Sequence, residues 1–375
     1  MEHNKCRAWR EIDLAALAHN VQALKPYLAP GQELMAVVKA DAYGHGAVQT
    51  AQFLERRGVP AFAVACLSEG IALRQAGVRG DILILGYTPP EEAGGLAQWD
   101  LIQTVADEAH GLALAAQGVP LRVHIALDTG MHRLGVPADD HRALCRLFSA
   151  KDLRVEGVFS HLCVSDSLEA GDAAYTRGQL DAFYSTVDWL REAGYDPGAI
   201  HIQSSYGLLN LPAQPCRYAR AGILLYGVPS DRASAANWPD LRPVLSLRAR
   251  VASVRTLAAG ESAGYGLDFH ADRETRLAVV TIGYGDGLPR ALAQSGGQVL
   301  IGGQRCPMVG RMCMDQLLVD VTDAQAVFSG DTATMIGKDG SEEIGAVDIA
   351  EQCGTITNEL LSRLGLRLPA VPVCC

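Results

Sequence analysis

Between residues 34 and 225 the chain repeats one unit eight times: a short apolar run, a polar turn, then an amphipathic stretch. The runs begin near residues 34, 61, 82, 101, 121, 154, 199 and 219, the first three being ELMAVVKA, AFAVACL and DILILG. Strands that alternate with helical spacers imply a parallel sheet, since parallel neighbours need a crossover connection. AVQTAQFLERRG reads as a helix stopped by Gly58. SEGIALRQAG reads as one opened by a Ser-x-Gly cap and closed at Gly77, and the longest spacer lies near residues 172–193. Eight units make a (β/α)8 TIM barrel, typically ~250 residues long. The rival, an open doubly wound sheet, wants a GxGxxG after its first strand, and none is there.

After residue 235 the texture changes. VLSLRARVASVRTL, TRLAVVTIGYGDG, GQVLIGGQRCPMVG and DQLLVDVTD alternate apolar with polar residues and carry many glycines, with few helical stretches before residue 346. This predicts a C-terminal, predominantly β domain. The expected division is 1–234 for the barrel and 235–375 for the β domain, with the boundary in SDRASAANWPDLRP and the first ten or so residues joining the β domain. The eight units share a pattern without sharing a sequence: no internal sequence repeat at a 20–50-residue period and no low-complexity tract is present.

At 375 residues, 49% hydrophobic and 20% charged, the chain can bury two cores. Its net charge of −10 argues against a general nucleic-acid or anionic-membrane binder. MEHNKCRAWREID lacks the apolar centre of a signal peptide, and no apolar run approaches the ~18 residues of a membrane span. The ten cysteines show no paired CxxC spacing, so no metal site is expected and they read as reduced thiols of a cytoplasmic protein. Cys374 and Cys375 read as an exposed end.

In a (β/α)8 barrel the active site lies where the strands end. Lys39 ends the first run, in VVKADAYGHG; Arg133 follows the fifth, in LDTGMHRLG; His161 ends the sixth. Ser204 and Ser205 end the seventh, and Arg220 sits in the eighth just before Gly222 and Ile223. Singly, each has a bland use: a solvated loop lysine, a core histidine, an arginine paired with a carboxylate, two serines capping a helix. As a set at one barrel mouth they suit an anionic ligand. A lysine buried beside cations has its ammonium disfavoured twice, by desolvation and by like charge. A neutral amine can then bond covalently to an aldehyde.

These segments resemble the alanine racemase family. AVVKADAYGHG, LDTGMHRLG, FSHL, RAGILLYG, AGYGLDF, IGYGDG and VGRMCMDQ occur in that order, and the likeness runs from RAWREIDLAALAHNV to TNELLSRLGLRLP. The resemblance implies pyridoxal 5′-phosphate (PLP) as cofactor, held covalently by Lys39. It makes Lys39 and Tyr265 the two bases on opposite substrate faces, with Tyr265 reaching the site from the second subunit of a head-to-tail homodimer. His161 and Arg220 would tune that tyrosine, Arg220 also meeting the pyridine nitrogen. Arg133 would meet the phenolic oxygen and the substrate carboxylate. Tyr43, Ser205 and the N–H groups of Gly222 and Ile223 would hold the phosphate, with Leu85 and Ser204 completing the cofactor site. Met314, through its backbone, and Tyr284 would bind substrate. Physically, racemisation needs a proton taken from one face and returned on the other; a positioned base is worth ~10²–10⁴ in rate. Tyrosine, with a pKa near ~10, needs cationic or hydrogen-bonding help to serve.

Two positions depart from the family pattern. A lysine, carbamylated in many members, stands two residues before the aspartate of DTGM; here it is Ala126, so Arg133 must be oriented otherwise. The usual C-terminal tyrosine that touches phosphate and crowds the substrate is Asn358, in CGTITNELL. Asparagine leaves room for a hydroxymethyl group and can hydrogen-bond it. The serine racemase domains associated with vancomycin resistance share this asparagine. Serine turnover is therefore expected beside alanine, with D-alanine feeding peptidoglycan precursors. Those resistance proteins carry a membrane domain before the racemase. None is expected in this chain, which reads as a free enzyme or an excised domain. A PLP decarboxylase of similar build would want an acid facing the pyridine nitrogen, where this chain has Arg220. A single-barrel PLP-binding protein would lack Tyr265 and the β domain.

Overall fold

The computed structural model describes residues 6–235 and 238–373. The chain divides into two compact units. One comprises Val21–Ala42 and Ala47–Leu225; the other takes the N-terminal stretch to Asn20, Tyr43–Gly46 and the chain from Tyr226 onward. Part of the expected linker, Ala236 and Asn237, lies outside the described residues, as do Cys374 and Cys375.

The first strand, β1 (Ala8–Asp13), belongs to the second unit and is treated with it. The barrel unit is built on β2 (Glu33–Val37), β3 (Ala61–Val64), β4 (Asp81–Ile84), β5 (Ile102–Val105), β6 (Leu121–Asp128), β7 (Leu153–Phe159), β8 (Ala199–His201) and β9 (Tyr218–Ala221). All eight fall on the apolar runs. They pair in parallel in the order β9-β2-β3-β4-β5-β6-β7-β8. Main-chain bonds from Arg217 N–H to Ile200 O (2.9 Å) and from Arg220 N–H to Gln203 O (3.1 Å) draw β8 and β9 together, nearly closing the ring. Every residue of β3 and of β5 is buried, as parallel strands covered on both faces require.

Local chemistry sets the helix ends. Helix Ala47–Arg56 is followed by Gly58 at φ 86°, and helix Leu67–Gln75 by Gly77 at φ 87°. The expected Ser-x-Gly cap is corrected: Cys66 occupies the capping position with no side-chain bond, and Ser68 lies within the helix. Glu69 works there instead, its oxygens accepting from Ala65 N–H and Ala40 N–H, both at 2.7 Å. Asp107 caps Glu108–Ala115 and Asp140 caps His141–Phe148 through side-chain oxygens, the usual N-terminal solution. Ala170–Glu192 is the longest helix. No helix among the described residues is long and apolar enough to cross a membrane.

The second unit holds β10 (Leu245–Leu257), β11 (Thr275–Val280), β12 (Gln298–Ile301), β13 (Gln304–Val309), β14 (Leu317–Asp320), β15 (Thr332–Asp339), β16 (Glu342–Ile344) and β17 (Ala370–Val373). With β1 they form a nine-stranded sheet in the order β16-β15-β12-β13-β14-β11-β10-β1-β17. β10 alternates buried and half-buried residues along its first half and pairs antiparallel with β1, β11 and β15. Gly302 and Gly303, at φ 57° and 74°, turn β12 into β13, since two successive positive φ values are what a two-residue hairpin demands.

Candidate active site

Beyond β2 the chain does something rare. Ala40, Asp41, Ala42 and Tyr43 have φ values of 52°, 54°, 56° and 51°, followed by Gly44 at 78°. Lys39–Gly44 is thus a helical turn of left hand, costing L-residues roughly 1–2 kcal/mol each. Such strain persists only where the surroundings fix it, and it gathers at functional sites. Ala42 N–H donates to Val38 O at 2.9 Å, and Asp41 Oδ1 accepts from Ala47 N–H at 2.8 Å.

Lys39 opens this turn, and no carboxylate among the described residues pairs with its ammonium. Glu69, the nearest acid of influence, has both oxygens occupied by backbone donors. Burial pushes the Lys39 pKa down; the positive charges of Arg133 and Arg220 push the same way and Glu69 only partly opposes them.

Arg220 is buried on β9 and fully engaged at its tips. Nη1 donates to His201 Nδ1 (2.7 Å) and His201 O (3.1 Å). Nη2 donates to Ser160 O (2.7 Å), Ile202 O (3.2 Å) and His161 Nδ1 (3.1 Å). Its guanidinium also lies 5.2 Å from the Phe159 ring centre. Nε–H is the donor left over. Because a guanidinium can only donate, His161 and His201 must each accept at Nδ1 and carry their proton at Nε2. His201 Nε2–H then donates to His124 Nδ1, 2.9 Å away. Burial first, and Arg220 second, hold His161 down to about 3. Burial likewise holds His124 down to about 3 and His201 well below the ordinary histidine value. Burial lowers Arg220 itself to about 10.

Ser205 is buried, and its Oγ accepts from Gly222 N–H at 3.0 Å. Ile223 begins a 3-10 turn, so its N–H has no intrahelical acceptor. A hydroxyl and two main-chain donors thus converge at the end of β9. The capping alternative for the serines does not hold: Ser204 sits at the head of Ser205–Asn210 without a side-chain capping bond. Leu85 closes β4, its N–H donating to Val64 O at 2.8 Å. Ala126 is buried on β6 beside Phe159 of β7. Arg133 is exposed, on a loop that Asp128 organises by accepting from Gly130 N–H and His132 N–H (3.0 Å each) and from the His132 ring (2.9 Å). Burial of Asp128 is outweighed by these donors, and its carboxyl falls below the usual range. Tyr175 Oη donates to Gly130 O at 2.7 Å, tying the loop to the longest helix.

The remaining expected residues belong to the second unit. Tyr43 stands 5.2 Å from the ring of Tyr226, and burial pushes its phenol up to about 12. Tyr265 is 68% exposed, Met314 52% and Tyr284 38%. Tyr265, Met314, Gly264, Cys313, Asp315 and Gln316 line a cleft of about 510 Å³. Asn358 lies near the start of helix Thr357–Ser362, and its Oδ1 is buried with no hydrogen-bond partner among the described residues. His201 and His124 were missed in the sequence: a histidine on a strand carries no signal for the neighbour it will face.

The family models for the N-terminal and C-terminal domains of alanine racemase match residues 12–230 and 244–372. The chain belongs to the alanine racemase family. An amino-acid racemase of Enterococcus faecalis is 45% identical over 365 residues, covering 96% of this chain and 51% of the relative. A serine/alanine racemase of Enterococcus gallinarum is 40% identical over 366 residues, covering 97% and 51%. The chain therefore spans about half the length of these curated relatives. Among solved structures, alanine racemase of Clostridium difficile 630 superposes with a TM-score of 0.92 at 31% identity, covering 99% of this chain and 96% of the other. The alanine racemase family depends on PLP. The residues here fit that cofactor: an amine with no paired carboxylate among the described residues, a hydroxyl and main-chain N–H groups for a phosphate, and one unspent guanidinium donor.

Proposed function

We propose that the chain racemises small amino acids with PLP, interconverting L- and D-alanine and also L- and D-serine. Lys39 carries this reading: an amine held toward its neutral form by burial and two arginines, on a strained turn at the barrel mouth. PLP, when bound, supplies the electron sink for negative charge developing at the substrate Cα.

Lys39 Nζ would hold the cofactor; Ser205, the Gly222 and Ile223 N–H groups and Tyr43 would take its phosphate. Arg220 Nε–H would face the ring nitrogen, Arg133 the phenolic oxygen and the substrate carboxylate, with Leu85, Ser204 and Asn358 beside them. Lys39 Nζ then takes or returns the Cα proton on one face, and Tyr265 Oη serves the other. A donor on the phenolate favours the ionised tyrosine, and the His161 tautomer leaves Nε2–H available for it. The exposure of Tyr265, Met314 and Tyr284 supports a head-to-tail homodimer in which Tyr265 acts on the neighbouring subunit. Met314, through its backbone, and Tyr284 would meet the substrate carboxylate.

The buried, unpaired Asn358 Oδ1 supports serine turnover, since a hydroxyl can donate to it. The D-alanine product suits cell-wall precursor synthesis, and eight free thiols among the described residues suit a reducing cytoplasm. A decarboxylase reading is disfavoured because Arg220 offers a donor where that chemistry wants an acid.

Borohydride reduction followed by peptide mapping should place the label on Lys39, and a coupled assay should detect D-alanine and D-serine. A label elsewhere, no label, or no D-alanine overturns the reading.

A further inference from the structure

Asp286 is fully buried, and among the described residues it is the one acidic side chain so deeply placed. Its Oδ1 receives Arg7 Nη2 at 2.5 Å and Arg367 Nε at 3.3 Å. Its Oδ2 receives Arg7 Nη1 and Gly283 N–H, both at 3.1 Å. Arg367 reaches on to Asp315 Oδ1 at 2.5 Å. The backbone on either side is laced to the neighbouring loop: Tyr284 N–H donates to Cys313 O (3.2 Å) and Gly285 N–H to Met314 O (2.8 Å). A Cβ on Gly283 would fall 2.2 Å from Cys313 O, so the two loops touch main chain to main chain.

Burying a charge to pair it gains little stability; the desolvation penalty takes most of the Coulombic return. What such a pair can supply is a single geometry. Here that geometry includes Tyr284, two residues away, and Met314, bonded through its carbonyl to Gly285. From this arrangement we propose that Asp286 is a positioning residue for substrate-carboxylate binding. Through Arg7, Arg367 and Gly283 it fixes the loop 283–287, and through that loop it fixes the Met314 main chain. The inference rests on the racemase reading, in which Tyr284 and Met314 meet the substrate.

A group that holds substrate equally in ground and transition states changes KM and leaves kcat alone. Asp286→Asn keeps the shape and removes the charge. In the PLP-loaded full chain it is expected to raise KM for alanine about tenfold with kcat within about twofold of wild type. Arg367→Gln cuts one arm at a half-exposed position and should raise KM about threefold with an unchanged kcat. A melting temperature that falls in Asp286→Asn while KM stays at the wild-type value makes the residue structural and overturns the proposal. Should Asp286→Asn fail to fold, an unchanged KM in Arg367→Gln overturns it instead. If the wild type does not racemise alanine, both this proposal and the racemase reading fall; if it does and neither variant moves KM, only the role of Asp286 falls.

Discussion

Arg220 Nη1 donates to His201 Nδ1 at 2.7 Å, inside a chain of contacts that runs from His161 through Arg220 and His201 to His124. Among the described residues the guanidinium meets neutral nitrogens and carbonyls and no carboxylate, so it presents its last N–H without a paired negative charge. An arginine so placed leaves a facing ring nitrogen unprotonated and should limit transamination. Arg220→Glu supplies an acceptor there and is expected to raise transamination with alanine, followed as pyruvate formed in single-turnover assays. Pyruvate at the wild-type level would sink this account of Arg220.

The same chain fixes how stability responds to acid. His124 and His201 stay neutral in the fold, whereas in the unfolded chain a histidine takes up a proton near pH ~6.5. Below that pH the unfolded state binds more protons than the native one. Stability therefore falls as pH drops from ~6.5 toward 3, with a slope of up to about 1.4 kcal/mol per pH unit for each histidine. Urea midpoints measured at pH 7, 6, 5 and 4 should decline. His124→Phe removes one of the histidines held neutral in the fold and should make the decline less steep; an equally steep one would count against a buried, neutral His124.

The eight barrel strands were legible because each is a short run of apolar residues fenced by polar turns, and burial on both faces makes that run nearly continuous. The positions of Lys39, Arg133, His161, Ser205 and Arg220, on or just past barrel strands, were legible because each closes or follows an apolar run. The left-handed turn was not: Ala40, Asp41, Ala42 and Tyr43 contain no glycine to announce positive φ. Nor was Glu69, whose service to Ala40 and Ala65 depends on two segments meeting in space. Nor was the setting of Asp286, because its arginine partners lie 279 residues before it and far along the C-terminal segment.

Gly44 anchors the left-handed turn. It stands at φ 78°, and a Cβ there would fall 2.2 Å from Leu361 O. Its own carbonyl accepts from the buried Arg10 Nη1 at 2.8 Å. Gly44→Ala combines an unfavourable φ with a main-chain collision and is expected to destabilise by more than about 2 kcal/mol. Guanidinium unfolding curves check this. A loss below about 0.5 kcal/mol would mean that the turn relaxes at little cost.

The proposed serine turnover has two explanations at Asn358, extra room and a hydrogen bond. Its Oδ1 is buried and unpaired among the described residues, a condition costing about 1–3 kcal/mol unless a ligand supplies a donor. The alanine methyl cannot supply one; the serine hydroxyl can. Asn358→Tyr should lower the serine-to-alanine ratio of kcat/KM by about tenfold or more, since it removes both the space and the acceptor. Asn358→Ala separates the two, because alanine leaves at least as much room as asparagine and accepts nothing. If the hydrogen bond governs selection, alanine lowers the ratio nearly as far as tyrosine does, consistent with the strong discrimination of sites built around a substrate hydroxyl. A ratio preserved in the alanine variant and lost in the tyrosine variant would assign selection to room alone. A ratio unmoved by either substitution would remove Asn358 from substrate choice altogether.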